Sequence, residues 1–319
     1  MIDVKAAAGL LKTWDDVLIL THTKPDGDTL GGGFGLLFAL EALGRRARLE
    51  NAEGIPERYR FLCGEYLPDL FEPRFIVSVD VAGPDLLGEL KKYDGEIDLC
   101  VDHHTMNTLK AKKKLVDSGQ PAASLIVYDI IKALGVTVDK KIATALFTGI
   151  STDTGCFKYY SVTPGTHRAA AELIEAGADH GLVNMLMFDS MSPGRAALEA
   201  IIKSTLEFRL GGLCAVITVS RDAVSSCGVD EADLDGISSF PRRIEGVAVG
   251  LTLREKENGY RVSVRARENL DAAAMCARFG GGGHRAAAGC TIEGTKDEVM
   301  ALLLPAVSKM LEEAGYKWS

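Results

Sequence analysis

The sequence predicts an α/β protein. A parallel sheet with helices on both faces comes first, and a linker helix joins it to a smaller α+β unit. Three observations carry this reading. Short apolar runs at Val17–Leu20, Phe75–Val79 and Ile97–Val101 alternate with helix-length segments through the first half. Each run is followed by an acidic residue or a histidine. After about Ser192 the pattern changes to strands joined by short turns. A chain of 319 residues exceeds one small core and fits two domains. The expected boundaries are 1–190, a linker helix over 191–210, and 211–319.

In chain order, Val17–Leu20 reads as a buried strand and Leu30–Leu43 as a helix that starts with small residues. Phe75–Val79 and Ile97–Val101 are further strands, rich in Val and Ile. Ala122–Leu134 has helical spacing and stops at Gly135, Lys140–Ile150 is a second helix, and Thr166–Ala176 a third that ends at Gly177. Strands that alternate with helices imply a parallel sheet, and ligands of such sheets bind beyond the carboxyl ends of the strands. In the second half, Arg195–Phe208 reads as the connecting helix. Leu213–Val219, Val247–Leu253, Tyr260–Val264 and Ala286–Ile292 read as extended, with helices at Leu270–Phe279 and Lys296–Glu313.

Composition narrows the function. A net charge of −8 argues against a protein that coats duplex DNA with a broad basic face, but admits a short anionic substrate held beside metal ions. No apolar stretch is long enough to span a bilayer, and the N-terminus lacks the basic-then-apolar pattern of a secretion signal, so a cytoplasmic location is expected. The seven cysteines are scattered without a C-x-x-C pair and read as small buried hydrophobes, with Cys156 close to Asp153.

The carboxylates and histidines that follow the apolar runs form the candidate site. His22, Asp26 and Asp28 lie in one compact loop, where Pro25 fixes a backbone angle and Gly27 permits a sharp turn. Asp80 closes the second run, Asp102-His103-His104 follows the third, and Asp153 follows Ile142–Ile150. Singly, each has an ordinary explanation: a turn at Asp26-Gly27-Asp28, a helix cap at Asp80 or Asp153, satisfied polar residues at His103 and His104. Jointly they suggest a metal cluster at one sheet edge. Hard oxygen donors mixed with imidazole suit manganese and accept magnesium, iron or cobalt. A two-metal site of this kind clamps the attacking and leaving oxygens of a phosphoryl displacement, with Asp80 as the candidate bridge. In the second half, Gly281, Gly282 and Gly283 precede His284 and Arg285. Backbone N–H groups without side chains approach a phosphate closely, and the two side chains add charge-assisted bonds. Arg265 and Arg267 alternate along a predicted strand and so face one side.

These motifs resemble the DHH phosphoesterase superfamily. His-x-x-x-Asp-Gly-Asp at 22–28 resembles its first motif, Asp80 its second, Asp102-His103-His104 its third, and the segment Thr148–Gly155 its fourth. Gly280–Gly289 is similar to the signature of the DHH-associated substrate domain, so the resemblance covers nearly the whole chain in order. Length and layout are closest to the nano-RNase A type. That resemblance implies hydrolysis of short single-stranded oligoribonucleotides to mononucleotides and of 3′-phosphoadenosine 5′-phosphate to AMP. It implies two Mn2+ ions, with Mg2+ or Co2+ as substitutes, that activate a bridging hydroxide. His22, Asp26 and Asp80 would hold one ion, and Asp28, Asp80, His103 and Asp153 the other. Asp102 would orient a histidine, and His104 would stabilise charge or protonate the leaving oxygen. Arg265 and the Gly281–Arg285 segment would bind the substrate from across a cleft, and a homodimer is admitted by the likeness.

The competing functions are a cyclic or linear dinucleotide phosphodiesterase, a pyrophosphatase or exopolyphosphatase, a RecJ-type exonuclease, and a nucleotide-sensing protein without turnover. Two segments depart from the family pattern: the glycine-rich Gly31-Gly32-Gly33, which also lacks the full dinucleotide-loop spacing, and Lys158–Pro164.

Overall fold

The computed structural model describes the chain except residues 64, 65, 67, 230–233, 235, 268 and 319. It divides into two compact units, Met1–Ser190 and Met191–Ser319.

The first unit contains five parallel strands: β1 (Val17–Leu20), β2 (Ala47–Glu50), β3 (Phe75–Val79), β4 (Ile97–Asp102) and β5 (Ala111–Val116), in the order β2-β1-β3-β4-β5. Alternate residues feed the two faces. Val17, Ile19, Val77, Val79, Leu99 and Val101 enter the larger core, under the long helices. Leu18, Leu20, Ile76, Ile97 and Cys100 pack with Val81, Leu87 and Leu109 on the other face. The short helical segment Pro84–Tyr93 lies on that side. Burial on both faces is why these central strands read as mostly apolar runs, broken only by Ser78 and Asp98.

The two edge strands escaped the sequence pattern because charged residues interrupt them. Ala111–Val116 carries three consecutive lysines, two of them exposed, as suits a sheet edge that must not pair further. Ala47–Glu50 alternates Arg48 and Glu50 with Ala47 and Leu49. A helix at Val4–Leu11, N-capped by Asp3, also went unpredicted.

The glycine-rich departure at Gly31–Gly33 has a packing cause. The helix Gly27–Ala42 crosses the helix Lys140–Asp153 so closely that a Cβ on Gly31 would stand 2.4 Å from the Ala145 carbonyl oxygen. Asp26 caps the first of these helices, its Oδ1 accepting from the N–H groups of Asp28 and Thr29 at 3.0 and 3.2 Å. Gly135 ends the helix Ala123–Leu134 in the left-handed conformation, φ +72°.

The second unit contains a six-stranded mixed sheet: β6 (Glu207–Arg209), β7 (Cys214–Val219), β8 (Val249–Lys256), β9 (Gly259–Ala266), β10 (Gly282–His284) and β11 (Ala287–Glu293), ordered β10-β11-β9-β8-β7-β6. Only β7 and β8 run parallel. Its core lies under the helix Lys296–Glu313, whose Val299, Leu303, Val307 and Leu311 are buried. The helix Pro193–Ser204 belongs to this unit and packs Leu198 and Ile202 on Ile217 and Val219. It is shorter than Arg195–Phe208: the Thr205 hydroxyl accepts from the Thr218 N–H at 2.9 Å, and Glu207–Arg209 pairs as a strand with Cys214–Val216. No helix among the described residues is long and apolar enough to cross a membrane.

Candidate active site

Parallel strands deliver their carboxyl ends to one edge. His22 follows β1, Asp80 follows β3 directly, and β4 ends at Asp102 with His103 and His104 next. Asp153 arrives differently. It is the last residue of the helix Lys140–Asp153, and so neither follows a strand nor caps a helix N-terminus. The structure brings seven side chains into overlapping groups, the potential ligand atoms of each group lying within 4.8 Å of one another: His22 with Asp26 and Asp80, Asp28 with His103 and Asp153, and Asp80 with His103 and His104.

Asp80 sits where these groups meet. His22 Nε2 lies 3.5 Å from its Oδ2, and His103 Nε2 and His104 Nδ1 each 3.5 Å from its Oδ1. It is only 3% exposed and holds φ +60°, an uncommon conformation for a residue with a side chain. Its Oδ1 is buried without a hydrogen-bond partner. Burial and the Asp28 carboxylate raise Asp80 to about 8. Burial, Asp28 and Asp80 do the same for Asp153, also to about 8.

Asp28, 1% exposed, is fixed by tertiary contact. Its two oxygens accept from the N–H groups of Ala123 at 2.6 Å and Ser124 at 2.8 Å, the first turn of the helix Ala123–Leu134. That helix has no capping side chain of its own, so a carboxylate 95 residues earlier takes the place of the cap at its positive end. Gly149 makes room for this: a Cβ there would fall 1.9 Å from Ser124 Oγ and 2.9 Å from Asp28 Oδ1.

The histidines are turned by their outer nitrogens. His22 Nδ1 donates to the Thr23 carbonyl at 2.7 Å and His103 Nδ1 to the Gln120 carbonyl at 3.2 Å, which leaves each Nε2 facing the carboxylates. For His22, burial disfavours the charged ring, but Asp26 and Asp80 outweigh it and raise it to about 11. Asp26 is correspondingly lowered, His22 overcoming its burial. The group as a whole therefore holds protons that a divalent cation would displace.

His104 belongs to a chain of polar contacts. Its Nδ1 donates to Asp102 Oδ1 at 2.8 Å, Asn107 Nδ2 donates to Asp102 Oδ2 at 2.7 Å, and Lys114 Nζ donates to Asn107 Oδ1 at 3.0 Å. Asp102 raises His104 to about 9 against its partial burial. Burial of Asp102 itself is outweighed by His104 and Asn107, so its carboxyl is lowered. Sequence reasoning missed Asn107 and Lys114, and nothing in the sequence distinguishes them from surface polar residues. It also missed Asn51, whose Nδ2 donates to the His22 carbonyl at 2.6 Å and to Thr21 Oγ1 at 2.9 Å. It directly follows β2, a strand the sequence pattern did not reveal, so no signal pointed to it.

The donor set fits divalent cations: carboxylate oxygens and imidazole nitrogens, one carboxylate common to two groups, and a buried oxygen that no hydrogen bond satisfies.

The second unit gathers its predicted residues on one sheet. Gly282–His284 is itself a strand and pairs with Ala287–Gly289. A Cβ on Gly281 would stand 2.2 Å from the Gly289 carbonyl oxygen, so the glycines serve this close pairing. In register, His284 stands opposite Ala287 and Ala287 opposite Arg265, which puts Arg265 and His284 on the same face two strands apart. His284 and Arg285 are exposed. Arg265 is half-buried, with Nη1 donating to the Val264 carbonyl at 3.1 Å. Arg267 is not on the strand: it follows Ala266, and its Nε donates to the Val247 carbonyl at 3.1 Å.

Comparison with known proteins matches residues 16–150 to the DHH family, N-terminal domain, and residues 217–313 to the DHHA1 domain. The chain is 35% identical to the bifunctional oligoribonuclease and PAP phosphatase NrnA of Thermus thermophilus, over 94% of this chain and 91% of that protein. It is 22% identical to the bifunctional oligoribonuclease and PAP phosphatase NrnA of Bacillus subtilis, over 88% and 91%. In fold it is similar to the crystal structure of an exopolyphosphatase-related protein from Bacteroides fragilis, with a TM-score of 0.89 at 21% identity over 98% of this chain and 97% of that one.

Proposed function

The chain belongs to the DHH family, with a DHHA1 domain, and is a hydrolase acting on phosphoester bonds; from that premise we propose that it hydrolyses short oligoribonucleotides to mononucleotides and 3′-phosphoadenosine 5′-phosphate to AMP. The observation that carries the reading is the buried Oδ1 of Asp80, which accepts no hydrogen bond and belongs to a carboxylate shared by two groups of metal-type donors. The names of the Thermus and Bacillus relatives support the substrate class.

In this reading His22, Asp26 and Asp80 hold one divalent cation, and Asp28, Asp80, His103 and Asp153 a second. Manganese is the preferred ion, with magnesium or cobalt as substitutes. When bound, such a pair lowers the pKa of water and offsets negative charge at phosphorus. The protein's own groups do the rest. The Ala123 and Ser124 N–H groups hold Asp28 in place and leave its remaining lone pairs free. Asp102, steadied by Asn107, keeps the His104 ring charged and oriented. As the water oxygen bonds to phosphorus and loses a proton to solvent, the bond to the leaving oxygen breaks and His104 gives that oxygen the proton on its Nε2. In the second unit, Arg265, His284, Arg285 and the N–H groups of Gly281–Gly283 bind the substrate's phosphates.

A substrate panel with Mn2+ tests this: 3′-phosphoadenosine 5′-phosphate, di- to pentaribonucleotides, cyclic di-AMP and pyrophosphate. Turnover of the first two classes is expected. Release of mononucleotides from cyclic di-AMP alone would overturn the ranking.

A further inference from the structure

Beyond Asp153 the backbone does something costly. Gly155, Cys156 and Phe157 have φ of +58°, +59° and +60° in succession, and two of them carry side chains that disfavour this conformation. The turn is held from several sides. The Cys156 N–H donates to the Ser151 carbonyl at 2.7 Å, the Phe157 N–H to Thr154 Oγ1 at 3.1 Å, and the Lys158 and Tyr159 N–H groups to the Thr154 carbonyl at 3.0 and 3.1 Å. The Phe157 ring stacks on His167 at 5.3 Å and lies 6.0 Å from Phe147. Strain that is over-determined in this way concentrates at sites of function.

Its consequence is the seat of one aromatic ring. The reversal folds Tyr159 back onto Gly155, where a Cβ would stand 2.4, 2.6 and 2.9 Å from ring atoms Cζ, Cε1 and Cε2. Only glycine lets the ring rest there. The Tyr159 side of this contact is closed, yet the residue remains 59% exposed. Gly155 is two residues from Asp153, so their Cα atoms are at most about 7.6 Å apart. A flat aromatic surface, rigidly seated, open to solvent and this near the carboxylate cluster has the properties of a stacking platform.

We propose that Tyr159 forms a subsite that stacks the nucleobase of the nucleotide whose phosphate lies at the carboxylate–histidine cluster. Every base offers a π-face, so the subsite takes purines and pyrimidines alike. It also gives a role to the Lys158–Pro164 segment, where the sequence departs from its family. The inference rests on the reading of the site as one for nucleotide phosphoesters.

The test uses the Mn2+-loaded protein and a diribonucleotide that contains 2-aminopurine, whose fluorescence is quenched by stacking. Wild type should quench it. Tyr159→Ala should lose most of the quench and about 5- to 50-fold in affinity, Tyr159→Phe should keep both within about twofold, and Tyr160→Ala should retain the quench. The ratio of kcat/KM for a diribonucleotide to that for an abasic analogue should fall by a similar factor in Tyr159→Ala. An unchanged quench in Tyr159→Ala, its loss in Tyr160→Ala instead, or an equal kinetic loss on both substrates would overturn the assignment. If wild type cleaves neither substrate, the hydrolytic reading fails, while the quench still decides the stacking.

Discussion

Asp28 and Asp80 are 1% and 3% exposed, and the histidines around them are turned by named hydrogen bonds; His284 and Arg285 stand exposed at a hairpin turn of the second unit. The first set is held before any ligand arrives. The Asp80 carboxylate, desolvated and with one oxygen that accepts no hydrogen bond, is expensive to keep without a partner of opposite charge. The exposed set costs the fold little and stays adjustable. In the proposed reaction, rigid placement suits the atoms that change bonds, and adaptable placement suits the proposed recognition of a phosphate that varies in position between substrates.

The largest expected effect breaks this contrast at its centre. Asp80→Asn should lower kcat by about a thousandfold or more and reduce bound Mn2+ together, measured by steady-state kinetics and elemental analysis. Full metal content with lost activity would contradict the shared role of Asp80.

Next comes Asn107→Ala. It removes the donor to Asp102 Oδ2 and should slow turnover about 10- to 100-fold with metal content retained, because His104 loses its orientation. Activity close to wild type would show that Asp102 holds His104 unaided.

Arg285→Ala tests the other side. KM for a dinucleotide should rise about three- to tenfold, with the larger part of the loss in KM rather than kcat. A loss confined to kcat would place Arg285 with the rigid set.

The smallest effect concerns protons. Asp80 and Asp153 are raised from 3.8 to about 8, His104 from 6.5 to about 9 and His22 from 6.5 to about 11. A raised folded-state pKa contributes stability below the unfolded value that is lost as pH climbs through the folded one. The metal-free protein should therefore melt roughly 5 °C or more lower at pH 8 than at pH 5, and Mn2+ should raise the midpoint more at pH 8. A midpoint that climbs with pH in chelator would contradict this.

Much of the first unit was legible because its central strands are buried on both faces, which makes β1, β3 and β4 mostly apolar runs, interrupted only by Ser78 and Asp98, with site residues at their ends. The edge strands Ala47–Glu50 and Ala111–Val116 were not, since an edge requires charge where a core requires carbon. Within the site, His22, Asp26, Asp28, Asp80, His103, His104 and Asp153 could be picked out by type and setting. Asp153 was expected just beyond a helix over Lys140–Ile150, and the helix runs three residues further to include it. In the second unit the glycines signalled a close backbone approach, but not that Gly289 is what they approach.

Taken alone, the order of residues determined the central strands and most of the helices, that His22, Asp80 and Asp102 fall at or just beyond strand ends, and that glycine is demanded at particular points. Periodicity and local sterics act over a few residues and are written in the chain. Only the folded molecule decided that Asp28 caps a helix 95 residues away, that Asn107 holds Asp102, that Gly31 meets Ala145, and that Asp80 ends between two groups of donors. Those contacts depend on strand order and helix crossing, which many distant residues set together through burial, and no local stretch of sequence contains that information.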